Sequence, residues 1–145
     1  MSNPTLPRGY RNNNPLNIRY SNVNNWLGKI TNNTDGAFEQ FITMPYGYRA
    51  ALYLLRKYIK TYGCNTIKKI IEKWAPPSEN NTDGYITSVC RITGYQPTTE
   101  VNYNNAEQLC KLAYAMSIVE NGNTETTRAA GLPDMDAIYA GWNLL

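Results

Sequence analysis

Proton chemistry in this chain falls to carboxylates. Its 145 residues include no histidine, which removes Ser-His-Asp triads, Cys-His pairs and His-ligated zinc. Asp and Glu remain the best general acids and bases, and there are eleven of them. Most have a structural explanation. Glu72 follows Lys68 by four residues, the spacing of a solvated helix face. Glu107 reads as a helix cap and Asp35 as a turn residue. Glu100, Glu125, Asp134 and Asp136 stand at element ends or in polar loops, and Asp83 in a first helical turn.

Glu79 is the strongest candidate for a general acid. It follows Trp74-Ala75-Pro76-Pro77 in a loop between two helical patterns, and an apolar wall of that kind would desolvate a carboxyl and raise its pKa. Asn80 and Thr82 are close enough in sequence to bind a sugar or position a water. The competing reading is an exposed loop carboxylate beside a helix N-terminus. Glu39 is the fallback. It lies in an alternating segment on the side of Ala37 and Phe41, where an edge-strand charge is the simpler reading. Glu120 sits near a helix C-terminus, an electrostatically awkward place for an anion.

Twelve Tyr and three Trp make the chain rich in side chains that stack on sugars or fill cores. Trp26 and Trp74, each beside a polar loop, suit a groove, whereas Trp142 suits packing. Asn14 and Asn17 offer amides to a carbohydrate, although turns account for most of the asparagines here. Cys64, Cys90 and Cys110 are odd in number and lack CxxC spacing, so they read as small buried hydrophobes in a reducing compartment. No metal site and no cofactor are expected. A net charge of +3 is too small for a protein that coats DNA. Lys57, Lys60, Lys68, Lys69 and Lys73 read as a solvated face, so no nucleic-acid partner is expected.

The elements follow from punctuation and period. Residues 1–45 are crowded with Asn and Pro, predicting loops and one small hairpin that turns at 33–36. Tyr46–Tyr62 carries a 3.6-residue apolar period and stops at Gly63. Asn65 is the expected cap of a helix ending before Ala75-Pro76-Pro77. Thr82 is expected to cap a helix closed by Gly94. Asn104 with Glu107 predicts a capping-box start for a helix ending at Asn121-Gly122, and a last helix is expected from about Pro133 to Trp142. The fold class is mainly α with a small β component, in one domain over 1–145: a loop and hairpin lobe (1–45) and a helical lobe (46–145) of five to six helices. No apolar run is long enough to span a membrane. Met1–Pro7 shows no secretory signal, so cytoplasmic synthesis is expected.

Three stretches together resemble a known pattern. Arg8-Gly9-Tyr10-Arg11-Asn12-Asn13-Asn14-Pro15-Leu16-Asn17-Ile18-Arg19 is similar to R-G-I/V-R-N-N-N-P-G-N-I-R, with Leu16 in place of the usual Gly. Phe38-Glu39-Gln40-Phe41 with Pro45-Tyr46-Gly47-Tyr48-Arg49-Ala50 resembles F-x-x-F-x-x-P-x-x-G-I/L-R-A. Asn65-Thr66-Ile67 with Trp74-Ala75-Pro76-Pro77-Ser78-Glu79-Asn80-Asn81-Thr82 and Tyr85 resembles N-T-I…W-A-P-P-x-E-N-D/N-T-x-x-Y. The pattern is that of small phage and prophage proteins described as virion structural or lysozyme-like, and the order of its pieces is similar to the glucosaminidase-like branch of the lysozyme superfamily.

That resemblance implies a lysozyme-like fold and a peptidoglycan glycan strand as ligand, with Trp74, Glu79, Asn80, Thr82 and Tyr85 at the sugar cleft. It also implies a chain carried in a virion or released to the cell wall during infection, beside other virion proteins. One departure matters. The superfamily places its catalytic Glu at the end of a helix upstream of the Asn-rich segment, and here the eleven residues before Asn12 include no acid. The expected function is therefore cleavage of the bond between N-acetylmuramic acid and N-acetylglucosamine with Glu79 as single acid, by hydrolysis or transglycosylation. The alternative is a non-catalytic virion or wall-binding module using the same cleft.

Overall fold

The structure is a computed structural model that describes residues 5–145; the part of the Met1–Pro7 reading that falls on residues 1–4 lies outside it. The described residues form a mainly helical fold. In chain order the helices are α1 (Arg8–Arg11), α2 (Met44–Tyr62), α3 (Ile67–Trp74), α4 (Thr82–Thr93), α5 (Ala106–Asn121), α6 (Glu125–Ala129) and α7 (Met135–Asn143). The short α1 and α6 lie outside the helices expected from the sequence.

Helix α2 is the axle of the molecule. Tyr48, Ala51, Leu52 and Leu55 are fully buried on its inner face, as the 3.6-residue period requires, and α3, α5 and α7 all pack against it. Gly63 and Gly94 end α2 and α4 in the left-handed region, at φ 67° and 77°, which a residue without Cβ adopts cheaply. Tyr48 Oη lies 2.8 Å from Ser117 Oγ on α5, so the main buried hydroxyl of α2 is satisfied inside the core.

The caps are displaced by one residue from the expected positions. Thr66, not Asn65, accepts from the Lys69 N–H, because the Asn65 carbonyl is engaged by the Val101 N–H at 2.8 Å. Asn81 caps α4, and Thr82 turns its hydroxyl back onto the Ala75 carbonyl at 2.5 Å. Asn105, rather than Asn104, accepts from the Gln108 N–H. The last helix begins at Met135 behind the cap Asp134, not at Pro133.

The expected hairpin is a different object. Residues 37–42 run between two segments, bonding Ile18 and Tyr20 on one side (Glu39 N–H to Ile18 O and Tyr20 N–H to Ala37 O, 2.9 Å each) and Gly28 and Ile30 on the other. The pairing never extends beyond isolated antiparallel bridges, Arg19 with Phe38 and Lys29 with Phe41. Glu39 and Phe41 point inward while Ile42 is exposed, so the alternation holds. Glu39 is consequently no edge charge. It is fully buried, and its Oε2 accepts from Lys29 Nζ and the Ser21 N–H, both at 3.1 Å.

The Asn run clamps this lobe together. Asp35 receives a two-pronged bond from Arg8 at 2.6 and 2.7 Å and another from Asn12 at 2.9 Å, and these donors hold its carboxyl well below the usual range. Asn13, at φ 50°, donates to the Phe41 carbonyl at 3.1 Å. Asn14, fully buried, donates to the carbonyls of Ile18 and Glu39 and accepts from the Ile18 N–H. Gly47 of α2 lies directly on this loop: a Cβ there would stand 1.9 Å from the Asn13 carbonyl oxygen. Since neither backbone can yield alone, Gly47→Ala is expected to destabilise the protein by about 1–3 kcal/mol. In a urea titration the exposed control Thr61→Ala should stay within about 0.5 kcal/mol of the parent.

Candidate active site

A cleft of about 330 Å³ opens between the Asn-rich lobe and the helices. Leu16, Asn17, Ile18, Arg19 and Phe38 form one wall. Leu54 and Tyr58 of α2, Trp74 and Ala75 at the end of α3, and Glu79 and Asn80 of the following loop form the other. Glu120 closes the floor.

Of the residues expected in a site, Asn17, Trp74, Glu79 and Asn80 line this cleft. Thr82 and Tyr85 stand behind it: Thr82 straps the 75–82 loop, and Tyr85 is buried. Asn14 is a brace inside the lobe, and Glu39 is spent on Lys29. Trp26 lines a separate cavity. Glu79 is exposed, so the Trp-Ala-Pro-Pro run does not remove it from water.

The partly buried carboxyl of the cleft is Glu120, whereas the fully buried Glu39 is paired with Lys29 away from it. Glu120 sits one residue before the end of α5, whose last turn holds no basic residue. Burial pushes its pKa up, opposed by hydrogen bonds to its charged form from Asn17, Tyr85 and, least, the Trp74 indole. Asn17 Nδ2 donates to Oε1 at 3.0 Å and Tyr85 Oη to Oε2 at 2.9 Å. Tyr85, sealed in and facing an anion, is itself pushed far above the usual phenol range. The outcome is an oriented carboxyl with a raised pKa, facing a solvent-open groove.

Local backbone chemistry positions these groups. Asn17 adopts φ 53°, which Asn tolerates better than most residues with a Cβ, and this turns its amide toward α5. Asn121, next to Glu120, donates to the Pro15 carbonyl at 2.8 Å and to the Ser117 carbonyl at 3.0 Å. Gly9 completes the seam. A Cβ there would lie 2.5 Å from Asn121 Oδ1, 2.9 Å from Asn17 Oδ1 and 3.0 Å from the Asn14 carbonyl. Only a residue without a side chain lets α1 approach that closely.

The sequence did carry a signal for Glu120, an uncompensated acid in the last turn of a helix. That position costs roughly 0.3–1 kcal/mol unless another interaction offsets it. The partners that make it a site lie 103 and 35 residues away.

The fold is mainly α, and comparison with known proteins places the chain among phage proteins. No family model matches the chain. It is 38% identical over 122 residues to Protein P5 of Pseudoalteromonas phage PM2, an alignment spanning 83% of this chain and 74% of that protein. The chain belongs to the family of that phage protein.

The raised pKa of Glu120 makes a stability prediction of definite sign. A carboxyl whose folded pKa lies above its unfolded value loses its contribution as pH rises through the folded pKa. Glu120→Gln, which keeps partners for Asn17 and Tyr85, should therefore melt at or above the parent temperature at pH 8. The gap should close as pH falls toward 4, a trend that thermal melts across pH will read.

Proposed function

We propose that the chain is a lysozyme-like, peptidoglycan-directed glycosidase of a phage, with Glu120 as the general acid. The observation that carries this is a desolvated carboxyl held by Asn17 and Tyr85 on the floor of an aromatic, amide-lined groove. General acids need a pKa lifted toward working pH, and burial shifts Glu120 in that direction. A helix-end Glu bonded to the Asn-rich segment supports this reading, although α5 follows that segment in the chain.

In this reading a glycan strand lies along the cleft, with Trp74 and Tyr58 against sugar faces and Asn17 and Asn80 meeting hydroxyl or acetamido groups. Glu120 gives its proton to the glycosidic oxygen as the C1–O bond breaks and the electron pair leaves with that oxygen. The 2-acetamido oxygen of the muramic acid residue closes on C1 as that bond breaks. A water or the C6 hydroxyl of the same sugar then attacks C1, reopens the ring so formed and passes its proton to Glu120. The carboxylate left behind is stabilised by the Asn17 and Tyr85 donors and recovers a proton in the second step. Glu79, exposed on the opposite wall, has the freedom to orient an incoming water. The phage relative supports carriage in or with a virion, where other virion proteins are neighbours and the host wall is the target.

Digestion of purified peptidoglycan, with products read by mass spectrometry, is the test. The parent should release muropeptides with activity falling as pH rises through the raised pKa of Glu120. Glu120→Gln should lower kcat/KM by about 10²–10⁴-fold, and Glu79→Gln should lower it less. Products carrying an added water indicate hydrolysis, and anhydro-sugars indicate transglycosylation. Undiminished cleavage by Glu120→Gln overturns the assignment of the acid. Sacculus binding with no products from the parent would instead favour a virion-borne wall-binding module.

A further inference from the structure

A second cavity of about 440 Å³ adjoins the cleft, and Leu54 lines both. Its wall is an aromatic pair, Trp26 against Tyr53, with ring centres 5.6 Å apart and planes at 77°. Its charges are Arg49 and Lys57, and no carboxylate lines it. The main cleft has the opposite balance, with Glu79 and Glu120 against Arg19 alone.

The positive character is written into α2. Arg49, Tyr53 and Lys57 recur every four residues, so they share one face of the helix. They extend along roughly 12 Å of its axis. The 19 residues of α2 contain four basic side chains and no acid. Residues 44–74 hold seven of the fourteen basic residues but only Glu72 of the eleven acids, giving this segment +6 and the rest of the chain −3. Lys57 is exposed and has no carboxylate partner among the described residues. The Nε of Arg49 donates to the Leu144 carbonyl at 3.2 Å, which fixes the guanidinium at the cavity and leaves its other N–H groups for a ligand.

An aromatic wall with two cations beside it suits a sugar that carries an acid. Peptidoglycan alternates a neutral sugar with one bearing a lactyl group, whose carboxyl is free or extended by a peptide ending in carboxylates. We propose that the cavity is an acid-recognising subsite of the same glycan surface. Trp26 and Tyr53 hold the sugar face, and Arg49 and Lys57 take the carboxylate of the next muramyl unit, two sugars along the strand from the one over Glu120. The inference rests on the glycan reading of the cleft. It adds that the protein selects muramyl strands over uncharged chitin strands through these two cations.

Binding separates this idea from catalysis. Glu120→Gln protein, which holds substrate without turnover, is titrated calorimetrically with three probes: an uncharged chitin tetramer, glycan stripped of peptide so that lactyl carboxylates are free, and glycan bearing stem peptides. Lys57→Gln in that background should weaken binding of an acid-bearing probe about tenfold, and adding Arg49→Gln should weaken it further, with chitin affinity unchanged. Loss confined to stripped glycan assigns the lactyl carboxylate, and loss confined to peptide-bearing glycan assigns the stem. Equal effects on all three probes, no effect on any, or no binding of any glycan overturns the subsite. Because Arg49 also supports Leu144, Lys57→Gln alone decides if the double variant fails to fold. A parent that discriminates in this way yet cleaves nothing removes the glycosidase reading and leaves the subsite standing.

Discussion

The last turn of α5 is stitched to the Asn-rich segment, and the rest of the site depends on that seam. Asn17 reaches Glu120, and Asn121 reaches the Pro15 carbonyl. Ordering residues more than a hundred positions apart carries a conformational-entropy cost, which these polar bonds alone would not offset, since each contributes about 0.5–1.5 kcal/mol net. The seam persists because the fully buried Leu16 anchors the segment from within the core that α2 and α5 share. The polar bonds then choose which geometry the packed pieces adopt.

The asparagines of the N-terminal lobe have separate duties, and the differences explain why one composition supports both a scaffold and a site. Asn12 holds Asp35, Asn13 ties a left-handed turn to Phe41, and Asn14 braces two carbonyls from a position no solvent reaches. Asn17 alone of these lines the cleft. The same economy governs the carboxylates. Asp35 is held charged by Arg8 and Asn12, and Glu39 is paired with Lys29, so both are committed to structure. Glu120 has neutral donors and no cation bonded to it, so burial outweighs its hydrogen bonds and its pKa is raised.

Helix α2 links this chemistry to the wider surface. Its inner face forms the core and its first turns carry the Gly47 approach to the Asn loop. Leu54 and Tyr58 supply a wall of the cleft, while Arg49, Tyr53 and Lys57 present a cationic, aromatic strip beside it. A single rigid element therefore fixes the spacing between an acidic groove and a basic cavity, a relation that loops would not hold to within an ångström or two.

What the sequence determined by itself was local. The 3.6-residue apolar period located α2 to α5, and Gly63 and Gly94 set stops that the structure keeps. Cap positions slipped by one residue because Asn65 and Thr82 are claimed by partners outside their own helices. The hairpin dissolved because residues 37–42 pair with segments on both sides. Which carboxylate is desolvated was decided by tertiary structure alone. Burial is a property of everything packed around a group, and the groups around Glu120 come from Asn17, Trp74 and Tyr85. Sequence spacing registers neighbours three or four residues away on a helix and two along a strand. A hydrogen bond between residues 103 positions apart leaves no periodic trace.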